Sequence, residues 1–211
     1  MKRQLAFIGF GELGRQLVWL LSEEQRLEEF TYFDDVLYEK SIENAFPFSD
    51  WPKNKSSDFD FIIGLGYKHL LLKEEIVNKL VSSVYSLPSL IHPTAFVNSN
   101  SEIGHGVYVY PMCNIDLGVK IGQGTLLNNS VVVSHDSHIG NCCYLSPGVI
   151  VSGNVSIGNA TFIGSGSIIS NGVKIGSNVQ IGIGSVITGD VPDNTTVIGN
   201  PQRFVSRRFN F

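Results

Sequence analysis

The hydrophobic pattern changes character once along the chain. Up to about residue 88, apolar residues come in short runs separated by polar stretches. From Ile91 to Ile187 an Ile, Val or Leu then stands at every sixth residue, in 17 consecutive hexads without exception. The fifth place of each hexad is always small or β-branched, from Ala95, Ser101 and Val107 through to Val191. A period of six fits neither a helix of about 3.6 residues per turn nor free hairpins. It fits a parallel β-helix whose short flat strands send the first and fifth places inward. With three hexads to a triangular coil, the run predicts nearly six coils.

The first segment alternates strands and helices. Gln4 to Ile8 reads as a strand, followed at once by Gly9-Phe10-Gly11-Glu12-Leu13-Gly14 and a helix from about Arg15 to Leu21. Strand, glycine turn and helix start form the context that a GxGxxG pattern needs, because the glycines let backbone N–H groups approach a phosphate. A second strand, Phe30 to Phe33, ends in Asp34-Asp35, where a carboxylate can accept from a ribose or a base edge. Residues 39–57 are polar with Pro47 and Pro52 and read as a loop with a short strand. Phe59 to Ile63 is a third strand running into Gly64-Leu65-Gly66-Tyr67, with a helix from about His69 to Leu80 and a fourth strand over Val84 to Leu87. Gly9 and Gly11 of one loop and Gly64 and Gly66 of the other fall at the same sheet edge and could enclose one ligand. Four strands are about half of a full dinucleotide fold, so a mononucleotide-sized ligand is favoured over NAD. The expected organisation is a Rossmann-like α/β half-domain over residues 1–88, a hexapeptide-repeat β-helix over 89–199 and a basic tail over 200–211.

Charge divides the same way. Residues 1–90 carry ten Lys/Arg and fourteen Asp/Glu, and residues 91–211 carry five of each, so the net charge of −4 belongs to the first segment. The large neutral surface left on the β-helix suggests burial against other copies of itself. No basic stripe points to nucleic acid. The basic, apolar beginning is interrupted by Glu12 and Arg15 and has no cleavage site, so a cytoplasmic start is expected, and no apolar run reaches the ~18 residues of a membrane span. Cys113 and Cys143 occupy inward fifth places, and Cys142-Cys143 lacks metal-ligand spacing, so the three cysteines read as packing residues and no metal is expected.

Reactive groups are few in the repeat. His135 and Asp136 occupy the third and fourth places of their hexad, toward a corner, where a side chain can point outward. Packing does not need His135 there. An exposed imidazole beside a carboxylate can act as a base near neutral pH. His138, at a sixth place, reads as a surface residue. Arg203, Arg207 and Arg208 after the ladder could hold phosphates or could be a solvated end.

The hexads, the corner histidine and the closing Gly199-Asn200-Pro201 resemble the left-handed β-helix acyltransferases. The whole chain resembles the NeuD/PglD-type sugar O/N-acyltransferases of bacterial surface-glycan synthesis. The most specific stretches are Gly9 to Gly14, Phe33-Asp34-Asp35, Ser89 to Pro93 and Ser134 to Gly140. The resemblance implies a homotrimer with a nucleotide-linked aminosugar on the small domain and acetyl-CoA between neighbouring prisms. It implies His135 as general base sharpened by Asp136, Gly11, Glu12, Leu13, Asp34 and Asp35 on the nucleotide sugar, and backbone around Gly153, Ser165 and Gly182 on acetyl-CoA. Two positions depart from the family. Leu13 stands where a His is common, and Tyr144 replaces a second His near acetyl-CoA, where its hydroxyl can still donate to the thioester or its tether. The implied reaction is acetyl transfer to the C4 amine of a UDP- or dTDP-linked 4-amino-4,6-dideoxyhexose. O-acetylation of a sialic acid, a zinc hydratase needing three His ligands per site, and a non-catalytic nucleotide-binding scaffold are the rival readings.

Overall fold

The protein is described by a computed structural model covering residues 4–23, 29–53, 59–83 and 85–209. Its first part is a parallel four-stranded sheet built from β1 (Gln4–Ile8), β2 (Phe30–Phe33), β3 (Ala45–Phe46) and β4 (Phe59–Ile63), in the order β3-β2-β1-β4. Three helices accompany it: α1 (Glu12–Glu23), α2 (Asp35–Glu39) and α3 (Leu70–Val81). α1 begins three residues earlier than the sequence pattern suggests. The expected strand over Val84 to Leu87 is reduced among the described residues to one bridge between Ser86 and Asp60, and Val84 lies outside them. Pro88 has no N–H to continue the pairing, and the chain there already turns into the repeat. The sheet's fourth strand is instead Ala45–Phe46, inside the polar stretch.

From Leu90 the chain winds as a parallel β-helix of about six coils, and each two-residue strand pairs with the strand 18 residues away. Three faces result. The first holds seven coil strands, from Leu90–Ile91 to Thr196–Ile198, with Arg203–Val205 added antiparallel at its end. The second runs from Phe96–Val97 to Val186–Ile187 and the third from Glu102–Ile103 to Lys174–Ile175. The ladder residues pack down the axis together with the fifth-place residues. Each such aliphatic side chain contributes about 1.5–3 kcal/mol of burial. Fifth-place hydroxyls are not left unsatisfied, since Ser101, Thr125, Ser137, Thr161 and Ser167 each donate to a backbone carbonyl 15 residues on. Every corner from Gly106 to Gly184 puts its fourth-place residue at positive φ. Glycine, Asn and Asp adopt that conformation at least cost, which accounts for much of the glycine content.

The small domain sits on the first face. Leu90, Tyr108 and Leu126, outward on that face, are fully buried against Leu5, Phe7 and the α1 leucines. The Tyr108 hydroxyl oxygen accepts the Ile63 N–H at 2.7 Å, and Asn159 donates to Glu74 of α3 at 2.8 Å. Cys142 is buried in the same seam beside α3, while Cys113 and Cys143 lie in the prism core. Burial pushes all three thiols up, to about 11, 11 and 12. The outward row of the second face is largely apolar and uncovered, with Phe96, Ile150 and Ile168 exposed and Val132 and Val186 half-buried. The third face presents Glu102, Lys120, His138, Ser156 and Lys174.

One charge is sealed in the seam. Lys73 is buried with its ammonium 5.2 Å from the centre of the Tyr108 ring, and burial lowers its pKa to about 8. The unfolded chain therefore holds a proton, between about pH 8 and 10.5, that the folded chain has released, so stability rises with pH there. Above pH 9 the raised cysteine values oppose this, because the unfolded thiols ionise first. Lys73→Met, of similar volume, is expected to stabilise the protein by roughly 1–3 kcal/mol at pH 7, net of the lost cation–π contact. It should also flatten the rise between pH 8 and 9. Denaturant unfolding at pH 7, 8 and 9 checks both.

Candidate active site

The two glycine loops leave the C-terminal ends of adjacent strands, β1 and β4, and pack directly on each other. Gly64 N–H donates to the Ile8 carbonyl at 2.9 Å, and a Cβ at Gly64 would run into the Gly9 carbonyl. Gly14 is confined likewise, by the Phe10 ring. Gly11 and Gly66 are different, since a Cβ on either would meet only open space. They face a cavity of about 350 Å³ lined by both loops together with Glu12, Leu13, Asp34 and Tyr144. Of the residues expected on a nucleotide sugar, the fold thus gathers Gly9, Gly11, Glu12, Leu13, Asp34, Gly64 and Gly66 in one place. Asp35 does not line it; its carboxylate accepts the Phe48 N–H at 2.8 Å. Asp34 also has internal work, accepting from Phe10 N–H at 2.7 Å with one oxygen and capping α2 through Leu37 N–H at 3.0 Å with the other.

Tyr144 forms the cavity's wall on the prism side. Its ring stacks on Phe162, with centroids 5.9 Å apart, and meets Tyr67 edge-on at 5.3 Å. Asn128 donates to its oxygen at 3.1 Å, and burial pushes its pKa up, so the phenol keeps its proton as a donor. The residues Tyr67, Lys68 and His69 line this cavity and also a second hollow of about 480 Å³. Phe162 and Arg208 are shared between that hollow and a third of about 790 Å³, bounded by Gly182, Ile198, Arg207 and Phe209. One trough therefore follows the first face from the glycine loops to the C-terminal strand. The basic tail forms its far wall rather than a detached end. Arg208 donates twice to Asn178, at 3.1 and 3.0 Å, and Gln180 accepts the Phe209 N–H at 2.8 Å.

His135 and Asp136 lie at the corner between the second and third faces, as their places in the hexad predict. His135 Nδ1 is 3.0 Å from Asp136 Oδ2, and the side chains are 50% and 60% exposed. An ionised carboxylate only accepts, so Nδ1 carries the hydrogen and the Nε2 lone pair is left open. Glycines of adjacent coils fit closely around the pair. A Cβ on Gly153 would lie 2.6 Å from His135 Nε2, and one on Gly118 would lie 2.6 Å from Asp136 Oδ1. Gly153 thus stands with His135, whereas Ser165 is exposed at the corner between the first and second faces and Gly182 lines the trough. In a triangular section, the corner carrying His135 is opposite the first face, so one chain does not bring its own imidazole to its own trough. Sequence reasoning did not single out Lys68, His69 or Phe162. His69 reads as the start of a helix, and Lys68 and Phe162 carry no signal in the pattern.

Neither a family model nor a curated protein sequence matches the chain. Solved structures do. The acetyltransferase domain of PglB from Neisseria gonorrhoeae is 30% identical, with a TM-score of 0.85, over 96% of this chain and all of that one. The same domain in complex with acetyl coenzyme A superposes with a TM-score of 0.86 at 29% identity, over 97% of this chain and all of that one. A variant of perosamine N-acetyltransferase from Caulobacter crescentus, in complex with CoA and GDP-perosamine, is 25% identical over 97% of both chains with a TM-score of 0.86. With 30% identity and a common fold over nearly the whole length of both chains, the chain belongs to the family of NeuD/PglD-type sugar O/N-acyltransferases.

Proposed function

We propose that the protein transfers the acetyl group of acetyl-CoA to an amine of a nucleotide-linked aminosugar. The C4 amine of a 4-amino-4,6-dideoxyhexose, made for bacterial surface glycan, is the specific acceptor in this reading. The observation that carries it is the continuous trough, which offers a glycine-lined cavity at one end and an apolar hollow edged by Arg207 and Arg208 at the other. The first suits a nucleotide sugar on a left-handed prism's Rossmann-like half-domain, and the second suits the pantetheine and phosphates of CoA. Support comes from the relatives, one of which is in complex with acetyl coenzyme A and another with CoA and GDP-perosamine.

In this reading the site is completed by a neighbouring copy in a homotrimer. The apolar outward row of the second face is a natural packing surface for that copy, and a neighbour's free corner can then reach the trough. Its His135 Nε2 takes a proton from the acceptor amine as the nitrogen bonds to the thioester carbonyl carbon. The C–S bond breaks, and the departing thiolate takes up a proton. Asp136 holds the imidazole in the tautomer this requires. Gly153 beside His135, with Ser165 and Gly182 across the groove, supplies backbone along acetyl-CoA, and Tyr144 O–H donates near the thioester. Asp34 holds the glycine loop and contributes to nucleoside binding, whereas Asp35 stands outside the cavity on the Phe48 N–H.

Purified protein is tested with acetyl-CoA against UDP-, dTDP- and GDP-linked 4-aminosugars and against hydroxyl acceptors, following release of the CoA thiol. Turnover restricted to the amines supports the reading. Turnover of hydroxyl acceptors alone overturns the amine assignment, and absence of turnover with every acceptor overturns the enzyme assignment.

A further inference from the structure

Two N–H groups of the first glycine loop are already taken, and its side chains bring negative rather than positive charge. The Gly9 N–H is committed to the Phe33 carbonyl at 2.9 Å, and the Phe10 N–H is committed to Asp34. The next side chains are Glu12, an anion, and Leu13, an apolar residue 8% exposed and packed in the domain core. Asp34 adds a second carboxylate to the lining. The cavity nevertheless has open space over Gly11 and Gly66, where the backbone can be approached. Among the described residues that line it, the cationic or potentially cationic side chains come from the other loop, Lys68 and His69, both exposed.

We propose that Lys68 and His69 are the diphosphate-binding residues for the nucleotide-sugar acceptor, so that in this chain the second glycine loop, not the first, carries the positive charge. A nucleoside diphosphate brings two negative charges or more next to Glu12 and Asp34. Without a cation on the opposite wall, that juxtaposition would repel it. Lys68 and His69 are positioned for this by the 3-10 turn Tyr67–His69, which His69 N–H closes onto the Gly66 carbonyl at 3.1 Å. The turn follows Gly66 directly, and residues of both loops line the same cavity. The proposal rests on the nucleotide-sugar reading of the cavity.

Calorimetry separates the two. Wild-type protein is titrated with UDP, dTDP and GDP and with uridine, thymidine and guanosine, then compared with Lys68→Ala, His69→Ala and Lys68→Arg. The preferred diphosphate should bind the wild type more tightly than its nucleoside. Each alanine variant should lose about tenfold or more of diphosphate affinity while binding the nucleoside as before, and Lys68→Arg should keep most of it. In turnover, KM for the nucleotide sugar should rise by a similar factor with KM for acetyl-CoA unchanged. If no diphosphate binds the wild type, the nucleotide-sugar reading fails and this inference falls with it. If one binds and the alanine variants bind it equally well, this inference alone is overturned. It is also overturned if KM for acetyl-CoA rises instead, since Lys68 and His69 border the middle hollow beside Arg208, and that result would assign them to CoA's phosphates.

Discussion

His135→Ala is expected to lower kcat by about 10²–10⁴-fold while leaving the affinity for acetyl-CoA nearly unchanged. The imidazole is half exposed and outside the core, so its removal leaves the prism intact. The amine it would deprotonate is itself a fair nucleophile, which is why the loss is bounded at general-base size. Gly153→Ala offers an independent route to the same defect with the histidine still present. The added methyl would stand 2.6 Å from Nε2 and 2.7 Å from Cε1, so the ring must turn away from its present direction and from Asp136. Where the second change acts through the imidazole, the double variant is no slower than His135→Ala alone; a further loss would come from the backbone that Gly153 offers acetyl-CoA or from Asn171, whose Oδ1 would lie 2.9 Å from the added methyl. Steady-state kinetics on the three variants check this. Undiminished kcat in His135→Ala would falsify the base assignment, and a further large loss in the double variant would show that Gly153 acts on the reaction by another path.

The prism was legible because its rule is one-dimensional. Inward and outward places recur every six residues, so the direction of each side chain follows from its index alone, although the burial of outward Leu90, Tyr108 and Leu126 under the small domain does not. That rule placed Cys113 and Cys143 in the core and His135 at an outward corner before any contact was known, and the structure agrees. It also predicted about six coils. The small domain was legible in type but not in detail. The short strand expected within residues 39–57 is Ala45–Phe46, but its place beside β2 is set by tertiary docking rather than by the local pattern. Val84 to Leu87 has strand composition, yet the chain must leave the sheet for the first coil, and among the described residues of that stretch only Ser86 bridges to β4. At the site, glycine spacing identified both loops, but not which glycines face the ligand. Gly14 and Gly64 prove to be packing glycines, and Gly11 and Gly66 open ones, a distinction made by neighbours far away in sequence. The seam that buries Lys73, Tyr108 and Cys142 has no signal in the local pattern at all.

Two inactive variants are expected to restore each other's activity when co-expressed. Gly66→Trp fills the open space above the second glycine loop, where the backbone accepts a side chain without collision, and so blocks the acceptor cavity. His135→Ala removes the base from the far corner. In the proposed trimer, each parent alone should be nearly dead. In mixed trimers the cavity of an His135→Ala chain can face the intact His135 of a Gly66→Trp neighbour. With equal amounts and random assembly, about a quarter of the cavity–corner pairs are wild type on both sides, so about a quarter of wild-type activity should return. The expectation follows from the section of the prism, in which the domain-bearing first face and the His135 corner are opposite each other. Tagging the two chains differently and assaying the doubly purified species, in which every trimer is mixed and one cavity–corner pair in three is wild type on both sides, should give about a third of wild-type activity. Activity no greater than the sum of the two parents would mean that cavity and base belong to the same chain, against the geometry of a rigid three-faced coil.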